Sequence, residues 1–127
     1  MTNAIAWFEI PVTDFARAHK FYSALLNEEM PTMKIPMPGG MADYVMFKKD
    51  IPEEGVGGAI VKMEGFEPSA NGSLIFLPGG EDLTEALNRV EPAGGKIIFP
   101  KTDIGENGFM AHFFDTEGNR IALHSFS

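Results

Sequence analysis

The chain writes one strand-helix phrase twice. Ile5–Phe15 runs into a helical pattern ending near Leu26, and Ser73–Leu83 runs into a second ending near Glu91. Asp14-Phe15 overlays Asp82-Leu83 and Ala18 overlays Ala86, with a one-residue bulge tolerated just before the helix. A duplication at this spacing predicts two copies of one small unit. Neither copy, at roughly 60 residues, buries enough surface to be comfortably stable alone. The halves are therefore expected to pack together in one domain over residues 1–127, or across a dimer.

In the first unit, about residues 1–64, Phe8, Ile10 and Val12 alternate with Trp7, Glu9 and Pro11, which predicts a strand with one strongly apolar face. Thr13 is a candidate N-cap, after which Phe15, Ala18, Phe21, Tyr22 and Leu25 recur at helical spacing. Strands are expected at Met30–Ile35, Asp43–Lys48 and Gly57–Met63, separated by loops at 36–40 and 50–55. A linker over 65–72 leads to the second unit, about 73–127. That unit repeats the order: a strand over 73–78, then a helix over 81–91 that buries Leu83, Ala86, Leu87 and Val90. Gly94-Gly95 stop this helix, because glycine adopts left-handed backbone at low cost. Strands follow at Lys96–Phe99, Phe109–Phe114 and Arg120–Ser125, the last two joined by a tight turn over Asp115–Asn119. Gly39-Gly40, Gly57-Gly58 and Gly79-Gly80 fit no phosphate loop and read as turns and bulges. The fold class is α+β. Each helix covers one face of its sheet, and the other face, curved by the normal twist, forms half of a cup.

A net charge of −8 argues against a nucleic-acid partner, which needs clustered cations. The absence of cysteine excludes disulfides, thiolate metal sites and a cysteine nucleophile. A strand pattern begins within four residues of the start and no apolar run reaches bilayer-spanning length, so a cytoplasmic protein with no membrane partner is expected.

Two segments carry a family resemblance. Asp115-Thr116-Glu117-Gly118-Asn119-Arg120-Ile121-Ala122-Leu123 resembles the D-P-x-G-N-x-hydrophobic-E-L hairpin of the vicinal oxygen chelate superfamily. Pro11–Phe15 with Phe21–Leu26 is similar to that superfamily's V-x-D-…-F-Y-…-L-G segment. The superfamily includes glyoxalase I, extradiol dioxygenases, fosfomycin-resistance enzymes and bleomycin-binding proteins. The resemblance covers essentially the whole chain. It implies paired βαβββ modules forming an open eight-stranded barrel-like cup with two helices outside, commonly as a homodimer.

Metal-dependent members of that superfamily place a ligand on the first strand, where this chain has Trp7, and a Glu four residues after the hairpin glycine, where it has Ala122. The remaining two positions fall near Ser73 or Ile75 and on Ala59, Ile60 or Val61. The superfamily chemistry uses the metal as a Lewis acid that holds two neighbouring substrate oxygens. The resemblance thus implies a small-molecule-binding protein without the usual metal ligands and without a cofactor, and no catalytic residue is carried over. The alternatives are a divalent-metal-dependent lyase or isomerase of glyoxalase I type with displaced ligands, and a pure interaction module.

Period-two alternation turns Met110, His112 and Phe114, together with Arg120, Ala122 and His124, toward the cup. Pairing centred on Gly118 sets His112 directly opposite His124, and Glu9 joins the same face. Glu9, His112 and His124 could orient a ligand hydroxyl, shuttle a proton, form a two-histidine, one-carboxylate metal site, or simply satisfy one another inside a barrel. Trp7 is a candidate stacking platform or a packing residue, and Lys101 a candidate anion contact at the cup mouth or a solvated lysine. The ligand-binding candidates are therefore Trp7, Glu9, Lys101, Met110, His112, Phe114 and His124. Met30, Met33, Met37, Met41 and Met46 suit either an adaptable pocket or gap-filling in a small core.

Overall fold

A computed structural model describes residues 3–127; Met1 and Thr2 of the expected domain lie outside the described residues. The element order is β1 (Trp7–Pro11), α1 (Phe15–Leu26), β2 (Thr32–Met37), β3 (Gly40–Met46) and β4 (Gly57–Lys62), then β5 (Ile75–Pro78), α2 (Thr84–Val90), β6 (Lys96–Asp103), β7 (Phe109–Phe114) and β8 (Arg120–Ser125). The strands form two four-stranded sheets of equivalent order, β1-β4-β3-β2 and β5-β8-β7-β6. In each, the strand preceding the helix pairs in parallel with the last strand, and the remaining pairs are antiparallel. The architecture is α+β: two helices and two open, mixed sheets.

One continuous core joins both halves. Ile10, Ile60 and Val45 from the first sheet, Val12 just after β1, Phe21, Tyr22 and Leu25 from α1, Leu87 and Val90 from α2, and Phe113, Ile121 and Leu123 from the second sheet are all buried in it. Phe21 meets Phe113 with ring centroids 6.0 Å apart, so α1 packs against the second sheet as well as its own. Polar bonds seal the same junction. The buried Tyr22 hydroxyl donates to Asp115 at 2.6 Å, Asn119 Nδ2 donates to the Pro11 carbonyl at 2.7 Å, and Arg89 Nε donates to the Leu25 carbonyl at 2.7 Å. Burial and the adjacent Asp115 carboxylate push the Tyr22 hydroxyl well above its usual pKa.

The start of α1 is capped by Asp14, not Thr13. Asp14 Oδ1 accepts from the Arg17 amide at 3.1 Å. The Thr13 and Asp14 amides instead donate to Glu117 Oε1 at 2.9 and 2.7 Å, so the β7–β8 turn closes the helix start from across the molecule. The helix ends on Asn27 in the left-handed conformation, φ 54°.

Two strands run through prolines at which the sequence predicts a stop. β2 continues over Pro36 to Met37 and turns through Pro38-Gly39 into β3, which starts at Gly40 and not at Asp43. β6 continues past Phe99 and Pro100 to Asp103, with two register shifts against β7. Both are edge strands, where a proline removes no ladder bond that a neighbour needs. Gly57-Gly58 are strand residues, not a turn or bulge. A Cβ on Gly57 would sit 2.9 Å from Trp7 Cζ3, and one on Gly58 2.3 Å from Phe8 Cε1. The consecutive glycines therefore let one aromatic ring of β1 lie across β4 on each face of the sheet.

Candidate functional site

The sheet faces turned away from the shared core carry the candidate residues. On the first sheet this face holds Trp7, Glu9, Ala42, Tyr44, Met46, Ala59 and Val61. Met33, Ile35 and Met37 of β2 pack beside Tyr44 and Val61. Ile60, one of the positions suggested for a ligand, points the other way into the shared core. Trp7 and Met46 are 40% and 41% exposed, a large apolar surface left open by the single chain.

A short polar chain crosses this apolar face. Trp7 Nε1 donates to the Tyr44 hydroxyl at 3.0 Å, and that hydroxyl donates to Glu9 Oε2 at 2.6 Å. Burial, reinforced by the bond to Glu9, pushes the Tyr44 phenol up to about 12. Tyr44 therefore stays protonated at neutral pH and fixes both the indole and the carboxylate. The sequence reading missed Tyr44: alternation along β3 could have set it on the Ala42 face, but no local signal marks it as the bridge.

On the second sheet the corresponding row crosses all four strands. Phe76 pairs with Ala122, Ala122 with His112, and His112 with Phe99. Phe76 and Phe99 are 49% and 41% exposed, while His112 lies nearly buried between them. The imidazole meets Phe76 edge-on at 6.1 Å and Phe99 at 5.0 Å between centroids. Arg120 Nε donates to His112 Nδ1 at 3.1 Å, and its guanidinium carbon lies 5.1 Å from the Phe99 ring centroid. Burial, and then the Arg120 charge, lower the His112 pKa below 6.5, which favours the neutral imidazole. Phe76 could have been found from the repeat. Counting back from Pro11 and Pro78, it falls where the first unit has Glu9. Ile75 pairs with Ile121 and packs on the core, so it does not face the cup.

The β7–β8 pairing is offset by two residues from the symmetric arrangement about Gly118. Met110 lies opposite His124, and His112 opposite Ala122. Asp115 causes the offset: its amide bonds the Asn119 carbonyl at 3.0 Å, and its carboxylate accepts from the amides of Glu117 and Asn119 at 2.8 and 2.9 Å. An even shift preserves the faces. His112 and His124 thus share one side but sit diagonally.

The acid/base trio does not meet. Glu9 is held by Tyr44, His112 by Arg120, and His124 Nε2 donates to the Asn107 carbonyl at 2.6 Å. Among the described residues, no three His, Asp or Glu side chains gather closely enough to hold a metal ion. Met110 and Phe114 flank His112 on β7, both partly buried. Lys101 is engaged elsewhere: its Nζ lies 2.9 Å from Asp82 Oδ1 and 4.5 Å from the Phe109 ring centroid. The Lys101 bond holds the Asp82 carboxyl well below the usual range.

Residues 4–123 match the Glyoxalase/Bleomycin resistance protein/Dioxygenase superfamily. The chain belongs to this superfamily. It is 30% identical over 122 residues to CFP32 of Mycobacterium tuberculosis, whose name marks it a candidate glyoxylase. The match covers 92% of this chain but 43% of CFP32, so the chain spans less than half the length of that relative. It is 31% identical over 128 residues to a glyoxylase-like domain-containing protein of Didymella fabae, covering 94% of this chain and 91% of that protein. Among solved structures it superposes on TnmS3, an antibiotic binding protein from Streptomyces sp. CB03234, with a TM-score of 0.63 at 22% identity, over 100% of this chain and 99% of that one. That likeness shows the shared fold. Among the described residues, no helix is long and apolar enough to cross a membrane.

Proposed function

We propose that this protein binds a small, partly apolar organic molecule between concave sheet faces, and that it does so as a homodimer of single-domain chains without a metal ion. The observation that carries the reading is the apolar surface of both concave faces. Trp7, Met46, Phe76 and Phe99 are each about two-fifths exposed or more, and each face holds a fixed polar group among its rings. Apolar walls with a few oriented polar atoms are the usual composition of a ligand site. Among the depressions of the single chain, one of about 560 Å³ lies away from both faces, against Lys20 and Gly94, and one of about 310 Å³ lies at the margin of the first face, against Met63 and Phe66. A second copy covering the open faces explains why so much apolar surface is left bare.

The donor set does not suit the divalent ion of the superfamily's metal enzymes. Trp7 and Ala122 occupy two of the expected ligand positions, and the nearest polar groups are engaged by Tyr44, Arg120 and Asn107. The antibiotic binding named for TnmS3 and the glyoxylase names of the relatives mark the two chemistries to compare. Titration of the protein with nickel, zinc and manganese by calorimetry, beside a Trp7 fluorescence screen of aromatic small molecules, separates them. Saturable quenching by an organic compound, with no stoichiometric metal uptake, is the expected result. One tightly bound ion per chain, lost in His112→Ala or His124→Ala, would return the site to metal-dependent chemistry.

A further inference from the structure

The row Phe76–Ala122–His112–Phe99 names the kind of molecule the site takes, on the premise that the concave faces bind a small organic ligand. Arg120 reaches into this row with a charge that is not neutralised. Among the described residues it has no carboxylate partner, although acidic side chains outnumber basic ones 18 to 10 in the chain. Its Nε–H is spent on His112 Nδ1 at 3.1 Å, which leaves the outer edge of the fork free. An arginine N–H only donates, so Nδ1 must present its lone pair and the neutral imidazole carries its proton on Nε2. No hydrogen-bond partner for Nε2 occurs among the described residues. Burial keeps this imidazole neutral. The row therefore offers an unpaired cation on the Nδ1 edge of a neutral imidazole, flanked by two half-exposed phenyl rings. With Nδ1 already accepting from Arg120, the polar hydrogens left over in the row only donate.

We infer that the second sheet binds a planar aromatic or conjugated anion, a carboxylate or phenolate type, with its oxygens on the free edge of the Arg120 guanidinium and its ring against Phe76 and Phe99. In the proposed homodimer the first-sheet face takes the other end of such a molecule. Glu9 only accepts and Trp7 offers a flat apolar ring, so a hydroxyl or amine on the far edge meets an acceptor there. A guanidinium fork suits the two oxygens of a carboxylate better than a lysine does.

The test uses 2-naphthoate and its uncharged counterpart 2-naphthylmethanol with the full chain, followed by Trp7 fluorescence and by 15N shifts of the histidine rings. Naphthoate is expected to bind at least about 10-fold more tightly than the alcohol, as charge-assisted hydrogen bonds allow. Arg120→Gln should remove that preference, and Arg120→Lys should restore only part of it. Naphthoate should also move the resonance of His112 Nδ1, the nitrogen bonded to Arg120, while the ring stays in the Nε2–H form. Equal binding of the two compounds, unchanged by Arg120→Gln, overturns the anion assignment and leaves the small-molecule reading standing. Binding of neither overturns both. If Arg120→Gln dissociates the dimer and naphthoate does not compete, Arg120 pairs with a carboxylate of the second copy, and the assignment falls.

Discussion

His112 is the residue at which protonation and packing meet. Its ring is wedged against Phe99 and Phe76, and Arg120 occupies Nδ1, so a second ring proton has to displace a hydrogen bond and sit beside a cation. The folded pKa therefore lies below the value near 6.5 of an exposed histidine. The stabilising effect of the neutral ring is fully present above the unfolded pKa. It is lost as pH falls, because the unfolded chain takes up the proton first. Urea unfolding at pH 7.5 and pH 5.5 should show a drop in stability on acidification that is smaller in His112→Gln. An identical drop in both proteins would show that His112 titrates as an exposed residue.

At the scale of the elements, the paired glycines of β4 make opposite demands on their neighbours. Gly57 faces Trp7, which is 40% exposed and has room to tilt away from an added methyl. Gly58 faces Phe8, which packs against the shared core and the Phe47 ring. Gly58→Ala should cost about 1–3 kcal/mol through overpacking, and Gly57→Ala less, with a change in Trp7 emission. Equal losses in thermal unfolding would contradict this packing. The Asp115 turn is more sensitive still. Its carboxylate receives Tyr22, the Asn119 side chain and two backbone amides, all in the junction between the halves. Asp115→Asn turns an amide N–H toward two of those donors, and a loss of about 2–4 kcal/mol is expected from denaturant unfolding. A loss near zero would mean that the junction stands without the carboxylate.

These same elements show what the sequence made legible. Alternation in β1, β7 and β8 identified the correct faces, and helical spacing identified the buried side of both helices. The strand ends at Pro36 and Pro100 were not legible, because whether a proline stops a strand depends on which strand is an edge. The Gly57-Gly58 pair was misread for a similar reason: the rings that need the space come from β1. Partner choice among polar groups was the least legible feature. Glu9 finds Tyr44, 35 residues away, and Lys101 finds Asp82, choices that local pattern does not encode.

For the whole molecule, the two halves share one core while their concave faces stay open. Sedimentation at micromolar concentration should give a dimer. Replacing an exposed ring or thioether at the open faces, as in Met46→Glu or Phe76→Glu, should shift it toward monomer while the fold persists. A wild-type monomer, or a dimer indifferent to both changes, would place the interface elsewhere.

The most direct measurement is methyl and indole NMR during titration with aromatic small molecules, with the methionine methyls and Trp7 Nε1 as reporters. Bound ligand is expected to move Met33, Met46, Met110 and the Trp7 indole together. Shifts confined to the Lys20–Gly94 depression, or no response on either concave face, would contradict the account.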